Sequence, residues 1–183
     1  MVPAFAVWIT GLPSSGKSTI TGALVATLAA RGVDVAVLES DALRQVLTPR
    51  PTYSEEERDG FYRAMAYIGA LCVRHGVPVV FDATANRRAY RAAARAAIDR
   101  FIEVHVDAPL DVCMRRDPKG IYRQGRSGDA STVPGLQAPY EAPEHAEVVV
   151  SGHGKPPQTA ADAIVRALED RGYLTRQPLT ALS

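Results

Sequence analysis

Nine residues near the amino terminus, Gly11-Leu12-Pro13-Ser14-Ser15-Gly16-Lys17-Ser18-Thr19, constrain this chain more than any other segment. They satisfy G-x-x-x-x-G-K-[ST] at every fixed position. Gly11 and Gly16 let the backbone wrap closely round the loop residues Pro13, Ser14 and Ser15, and the loop's successive N–H groups, which Pro13 lacks, form an anion nest. Lys17 places a cation on the β- and γ-phosphates of a nucleoside triphosphate. The Ser18 hydroxyl is a Mg²⁺ ligand, and Thr19 lies in the first turn of a helix whose positive end faces the same charge. The mechanism needs a strand before the loop and a helix after it. Both are present: the apolar run Phe5–Thr10 precedes it, and Ser18–Arg31 carries Ile20, Leu24, Val25, Leu28 and Ala29 at helical spacing, with Gly32 as the stop. ATP and Mg²⁺ are the implied ligands.

The same alternation continues. Strands are predicted at Val33–Leu38, Val77–Phe81, Phe101–Val106 and Glu147–Val150, with helices at Glu55–His75, Arg87–Arg100, Leu110–Arg116 and Thr159–Arg171. Ser54 with Glu57 forms a capping box for the long helix. The pattern predicts an α/β protein: a three-layer P-loop fold with a mostly parallel five-stranded sheet, helices on both faces and a lid. The lid is Asp117–Glu144, rich in Gly, Pro and polar residues and without a clear period. Residues 1–183 read as a single domain, and 173–183 read as a frayed tail.

Composition narrows the function by exclusion. With 21 Lys+Arg against 20 Asp+Glu, the formal net charge of +1 argues against a general nucleic-acid or membrane binder. Two cysteines, Cys72 and Cys113, make neither a disulfide framework nor a zinc pattern, so a reducing cytoplasm is expected. The four histidines lack metal-ligand spacing, and His105, Trp8 and Cys113 read as structural.

Ligands bind at the carboxyl ends of strands in open parallel sheets. Asp41, just past the second strand, either orients an acceptor hydroxyl or caps a short helix; Arg44, one turn further, suits an acceptor anion. Asp82, directly after the third strand, is either a second Mg²⁺ ligand or a cap for the following helix, for which Asn86 is better placed. Arg115, Arg116, Lys119, Arg123 and Arg126 either close over phosphates from the lid or form a solvated face. Arg116 and Lys119 stand out because they bracket a tight turn.

Taken in order, these motifs resemble the adenylylsulfate kinases, P-loop enzymes that phosphorylate the ribose 3′-hydroxyl of adenosine 5′-phosphosulfate. The resemblance runs from about Val7 to Val150. It includes Trp8-Ile9-Thr10-Gly11-Leu12, the P-loop, Leu38–Arg44 (similar to L-D-G-D-x-x-R) and Tyr53-Ser54-Glu55-Glu56-Glu57-Arg58 (similar to F-S-x-E-D-R). The most specific matches are Arg116-Asp117-Pro118-Lys119-Gly120-Ile121-Tyr122 and Pro139-Tyr140-Glu141-Ala142-Pro143-Glu144. The resemblance implies that Asp41 orients or deprotonates the acceptor hydroxyl. It also implies that Arg44 and Arg58 bind the phosphosulfate, that Tyr53 stacks on the acceptor adenine, that Arg116 serves the nucleotide, and that Lys119 acts from the lid. A homodimer is implied as well.

The chain departs from the family pattern in places. Ala85 stands where the family has a phosphorylatable serine, in a Asp82-Ala83-Thr84-Ala85-Asn86 segment that looks more like other small-molecule P-loop kinases. Phe61 replaces an asparagine, and Val133 falls where a second aromatic is expected on the acceptor adenine. Three readings follow. The first is transfer of the γ-phosphoryl of ATP to the 3′-hydroxyl of adenosine 5′-phosphosulfate, giving 3′-phosphoadenylylsulfate. The second is the same transfer to another small hydroxyl acceptor. The third is a nucleotide-binding module without turnover, which has no need of an acceptor-side carboxylate.

Overall fold

A central strand that is apolar on both faces forces a layer of helices onto each side of the sheet. The computed structural model describes residues 4–128, 130 and 132–176. Its strands are β1 (Ala6–Thr10), β2 (Ala36–Glu39), β3 (Val79–Asp82), β4 (Phe101–Asp107) and β5 (Val148–Ser151), ordered β2-β3-β1-β4-β5. Every pairing is parallel, so the sheet is wholly rather than mostly parallel. The helices are α1 (Lys17–Ala30), α2 (Ser40–Leu47), α3 (Glu55–Arg74), α4 (Arg88–Ala97), α5 (Leu110–Arg116), α6 (Ile121–Ser127) and α7 (Pro157–Asp170).

β1 is buried along its whole length and feeds two cores. Val7 and Ile9 pack with Leu24 and Leu28 of α1 and Ile164 and Leu168 of α7. Ala6 and Trp8 face the other way, onto Met65 of α3, Phe81 of β3 and Ala94 of α4. Trp8 stacks on Phe81 with ring centroids 4.4 Å apart, and its indole N–H donates to the Ala83 carbonyl. The tryptophan is thus a core residue, as its sequence context suggests.

α2 is the short helix allowed by the capping alternative for Asp41, and it buries no residue. Other elements differ from expectation. α6 lies inside the segment read as irregular; it is one short amphipathic turn-pair, bounded by Gly120 and Gly128 at positive φ and anchored by the buried Tyr122. The tail is not frayed at its start. Leu174 is buried against α7, the Tyr173 N–H donates to the Leu168 carbonyl, and Arg31 donates to the Thr175 carbonyl. The remainder of that tail, 177–183, lies outside the described residues.

The capping box at Ser54 is half as drawn. Ser54 Oγ accepts the Glu57 N–H at 3.2 Å, but the Glu57 carboxylate passes the cap and accepts the N–H groups of Thr52 and Tyr53 at 2.7 and 3.2 Å. This ties the segment before α3 to the helix. It also holds Tyr53 at φ 55, a left-handed conformation that a tyrosine adopts at a cost.

Two glycines of α3 make opposite demands. A Cβ at Gly69 would overlap the Phe81 ring, whereas at Gly60 it would meet nothing within 4 Å. Gly69→Ala is therefore expected to destabilise the fold by about 1–3 kcal/mol through overpacking. Gly60→Ala is expected to stabilise it by about 0.5–1 kcal/mol by removing helix-interior glycine entropy. Urea unfolding of the two variants checks the opposite signs.

Candidate functional site

The glycine loop turns sharply because Gly16, at φ 104, adopts a conformation closed to most side chains, and α1 starts at the next residue. The first N–H groups of α1 have no partner within the helix and point to the mouth of the loop. Lys17 folds back over this mouth. Its Nζ donates to the carbonyls of Gly11 and Leu12 at 3.1 and 2.8 Å. Burial pushes its pKa down to about 8, partly offset by the charge of Asp82. A buried cation bonded only to carbonyls, above a row of unpaired N–H groups, is built to receive an anion.

A cleft of about 600 Å³ opens beside this loop, at the carboxyl ends of β2, β3 and β5. Pro13, Ser14, Gly16, Lys17, Ser18 and Thr19 form its floor; Gly11 and Ser15 lie beneath it in the buried backbone. Asp41, Arg44, Tyr53, Arg58, Asp82, Arg116 and Lys119 all line it. The structure therefore gathers residues as far apart in sequence as Pro13 and Lys119 into one concavity.

Each has a distinct setting. Asp41 lies in the first turn of α2 rather than at its cap, which Glu39 occupies without a side-chain bond. Its carboxylate pairs across the cleft with Lys119, and this hydrogen bond raises the Lys119 pKa. Arg44 rests its guanidinium 3.9 Å above the Phe61 ring and 5.1 Å from that of Tyr53, with a 3.5 Å contact to Glu57. Tyr53 is half-exposed at the rim. Arg116 donates to the Gly152 carbonyl at 2.8 Å and so closes over the glycine loop. Arg58 is buried in hydrogen bonds to protein groups.

Asp82 is buried at the end of β3 and faces the cleft, so it is not a helix cap. Asn86 is not one either. Its side chain accepts from Arg58 and donates to the Pro139 carbonyl, and α4 begins without a side-chain cap. Among the described residues no group of three or more His, Cys, Asp or Glu could hold a metal alone. Ser18 and Asp82 supply two hard oxygen donors, which suits Mg²⁺, an ion that takes its other ligands from phosphate and water.

Of the five basic residues weighed for the lid, Arg116 and Lys119 line the cleft, whereas Arg115 pairs with Asp111 and Arg123 and Arg126 line a separate small hollow. Val133 is buried with Tyr122, Cys113 and Ala108 and also touches the cleft. Ala85 is fully buried at φ 42, its N–H bonded to the Tyr62 hydroxyl. The sequence reading missed the loop after β5, where Ser151, His153 and Lys155 line the cleft. The strand-end rule that found Asp41 and Asp82 points there equally. His105 faces the Tyr140 ring, at the sheet rather than in the cleft.

Comparison with known proteins agrees with this geometry. The sequence model of the adenylylsulphate kinase family matches residues 3–151. The chain is 40% identical over 168 residues to an adenylyl-sulfate kinase of Synechococcus, covering 92% of this chain and 96% of that one. It is 35% identical over 170 residues to a probable adenylyl-sulfate kinase of Pyrococcus abyssi, covering 93% and 98%. Among solved structures, the Mycobacterium tuberculosis APS kinase in complex with AMPPNP and APS superposes with a TM-score of 0.86 at 29% identity, covering 92% of this chain and 99% of that one.

The Lys17 environment carries a pH signature. In the free loop the ammonium loses its proton above about pH 8, whereas a bound polyphosphate would hold the proton on. Binding of ATP should therefore take up a proton as pH rises past 8, and affinity should fall toward about tenfold per pH unit up to the ordinary lysine range. Calorimetric titration with ATP at pH 7, 8.5 and 9.5, in buffers of different ionisation enthalpy, measures both.

Proposed function

The chain belongs to the adenylylsulphate kinase family, and we propose that it transfers the γ-phosphoryl of ATP to the 3′-hydroxyl of adenosine 5′-phosphosulfate, giving 3′-phosphoadenylylsulfate and ADP. The observation that carries this reading is the facing of two chemistries across one cleft. The glycine loop with Lys17 forms one side, and the Asp41–Lys119 pair, with Arg44 and Tyr53, forms the other.

In this reading Lys17 leaves its loop carbonyls for the β- and γ-phosphate oxygens, and Arg116 covers the nucleotide. Asp41 accepts a hydrogen bond from the acceptor hydroxyl and takes its proton as transfer proceeds. Lys119, released from Asp41, turns to the transferring phosphoryl oxygens. Arg44 faces the acceptor's anionic group, and the Tyr53 ring stacks on its base. The segment Asp117–Glu144 is the lid, which excludes water while the partners are held in line. Ser18 and Asp82 are the residues that would hold Mg²⁺, which when bound neutralises phosphate charge. The two free thiols suit a reducing cytosol, and a homodimer is proposed on the resemblance alone. Among the described residues no helix is long and apolar enough to cross a membrane.

One observation favours a second reading, transfer to a different small hydroxyl acceptor. Phe61 lies buried beneath Arg44 where the family pattern has an amide, and the lid presents the aliphatic Val133. A site that loses polar partners can change its selectivity by about 10⁴-fold.

The test is incubation of the purified protein with ATP, Mg²⁺ and adenosine 5′-phosphosulfate, with separation of the products and a parallel panel of other hydroxyl compounds. Rapid 3′-phosphorylation supports the first reading; turnover confined to another acceptor selects the second. Lys17→Ala should abolish transfer while leaving thermal unfolding near that of the parent. Asp41→Asn should lower kcat by about 10²–10⁴-fold with little change in ATP affinity, and unchanged kcat would remove Asp41 from the chemistry.

A further inference from the structure

We propose that Arg91 of α4, buried behind the sheet and outside the lining of the cleft, is a positioning residue. Through the carbonyl of Ala85 it fixes the chain that leaves β3, and with it Asp82 and Thr84. The kinetic consequence rests on the kinase reading; the geometry does not.

Asp82 and Thr84 face the cleft from the end of β3 and the connection that follows it. That connection has no regular structure, so its backbone groups need outside partners. Its carbonyls find them one after another. Ala83 accepts from the Trp8 indole at 3.2 Å, and Thr84 from the Thr10 hydroxyl at 2.6 Å. Ala85 accepts from Arg91 Nη1, and Asn86 from the Glu141 N–H at 2.8 Å. Ala85 is the strained member, fully buried at φ 42. A non-glycine residue keeps such a conformation only where its surroundings over-determine it. Its N–H is held by the Tyr62 hydroxyl at 3.2 Å, and its carbonyl by Arg91.

The guanidinium is suited to this work by its shape. Nε donates to Glu103 of β4, Nη1 to Ala85 and Nη2 to the Glu141 carbonyl at 2.6 Å. A ring of bonds closes through Arg91, Ala85, Asn86 and Glu141, because Glu141 is held by both its N–H and its carbonyl. Glu103 balances the charge of a residue only 1% exposed, and Glu103 is itself held by the Glu147 carboxylate, which accepts its N–H at 2.6 Å. A buried ion pair adds little stability over apolar residues packed in the same volume. What apolar residues could not do is grip two carbonyls in fixed directions, and the point charge of a lysine could not do so either.

Two readouts separate positioning from plain support of the fold. The first is hydrogen–deuterium exchange, followed by mass spectrometry well below the melting temperature. In Arg91→Lys and Arg91→Gln, peptides covering 82–86 and 139–142 should gain exchange by about fivefold more than peptides of α1 and α7. The second is kinetic. For phosphorylation of adenosine 5′-phosphosulfate by ATP, kcat should fall by about tenfold or more in both variants. The Kd for ATP, titrated by calorimetry without Mg²⁺, should stay within about twofold of the parent, because no bond of Arg91 reaches the glycine loop. Should the Arg91 variants not fold, Glu103→Gln keeps the shape, withdraws the counter-charge, and should give the same pattern of exchange and rate.

The proposal is overturned if exchange rises by the same factor in all four regions, since Arg91 then only supports the fold. It is also overturned if Arg91→Lys keeps the parent kcat, or if the Kd for ATP rises in step with the loss of kcat. If the parent protein transfers to no acceptor, the kinase reading falls, and the exchange pattern still decides whether Arg91 fixes the chain after β3.

Discussion

The buried ammonium of Lys17, the first residue of α1, bonded to two carbonyls of its own loop, sets the terms for much of the surrounding structure. Such a group is costly unless its surroundings are fixed, because a cation in a shielded place is stable only while its acceptors stay within hydrogen-bonding distance. The fixing begins with β1, which has no exposed residue and no freedom to shift. It continues with Gly16, whose φ of 104 turns the chain into α1, and with Arg116, which joins the end of α5 to the chain after β5 beside the glycine loop. The two apolar cores on either face of the sheet hold the loop's foundations rather than the loop itself.

A second electrostatic anchor lies at the far side of the sheet. Arg91 of α4 is fully buried and bonds Glu103 of β4, while Arg95 takes both oxygens of Glu147 at 2.7 and 2.8 Å. Arg91 also donates to the carbonyls of Ala85 and Glu141. The end of the lid segment is thereby fastened to the same helix that packs on β4.

How much of this was legible in the sequence depended on whether a residue's role is local. The glycine loop, the five strands and the long helices announce themselves through spacing, because each needs a particular period within a few residues. Gly32 and Gly76 at positive φ end helices as written. Asp41, Asp82 and Lys119 were found by strand ends and by family resemblance, and the structure places them in one cleft. What was hidden is relational. Nothing in the letters says that Glu57 reaches past its cap, that Asn86 bonds Arg58 instead of starting α4, or that Arg123 turns away while Lys119 turns in. The short helix α6 was hidden for a different reason: seven residues with one anchored face carry too little periodicity to read.

The pairing of Asp41 with Lys119 has a thermodynamic meaning for whatever enters the cleft. Both side chains are more than half exposed, so the pair is weak, but each is the other's resident competitor. An acceptor does not add to an empty site; it exchanges with an intramolecular ligand that is always present at high effective concentration. On the proposed reading, the intrinsic affinity of the acceptor would be discounted by the fraction of time the pair is open, and that discount would shrink if the nucleotide's charge offered Lys119 a better partner. A salt bridge of this kind would let the first substrate lower the cost of admitting the second.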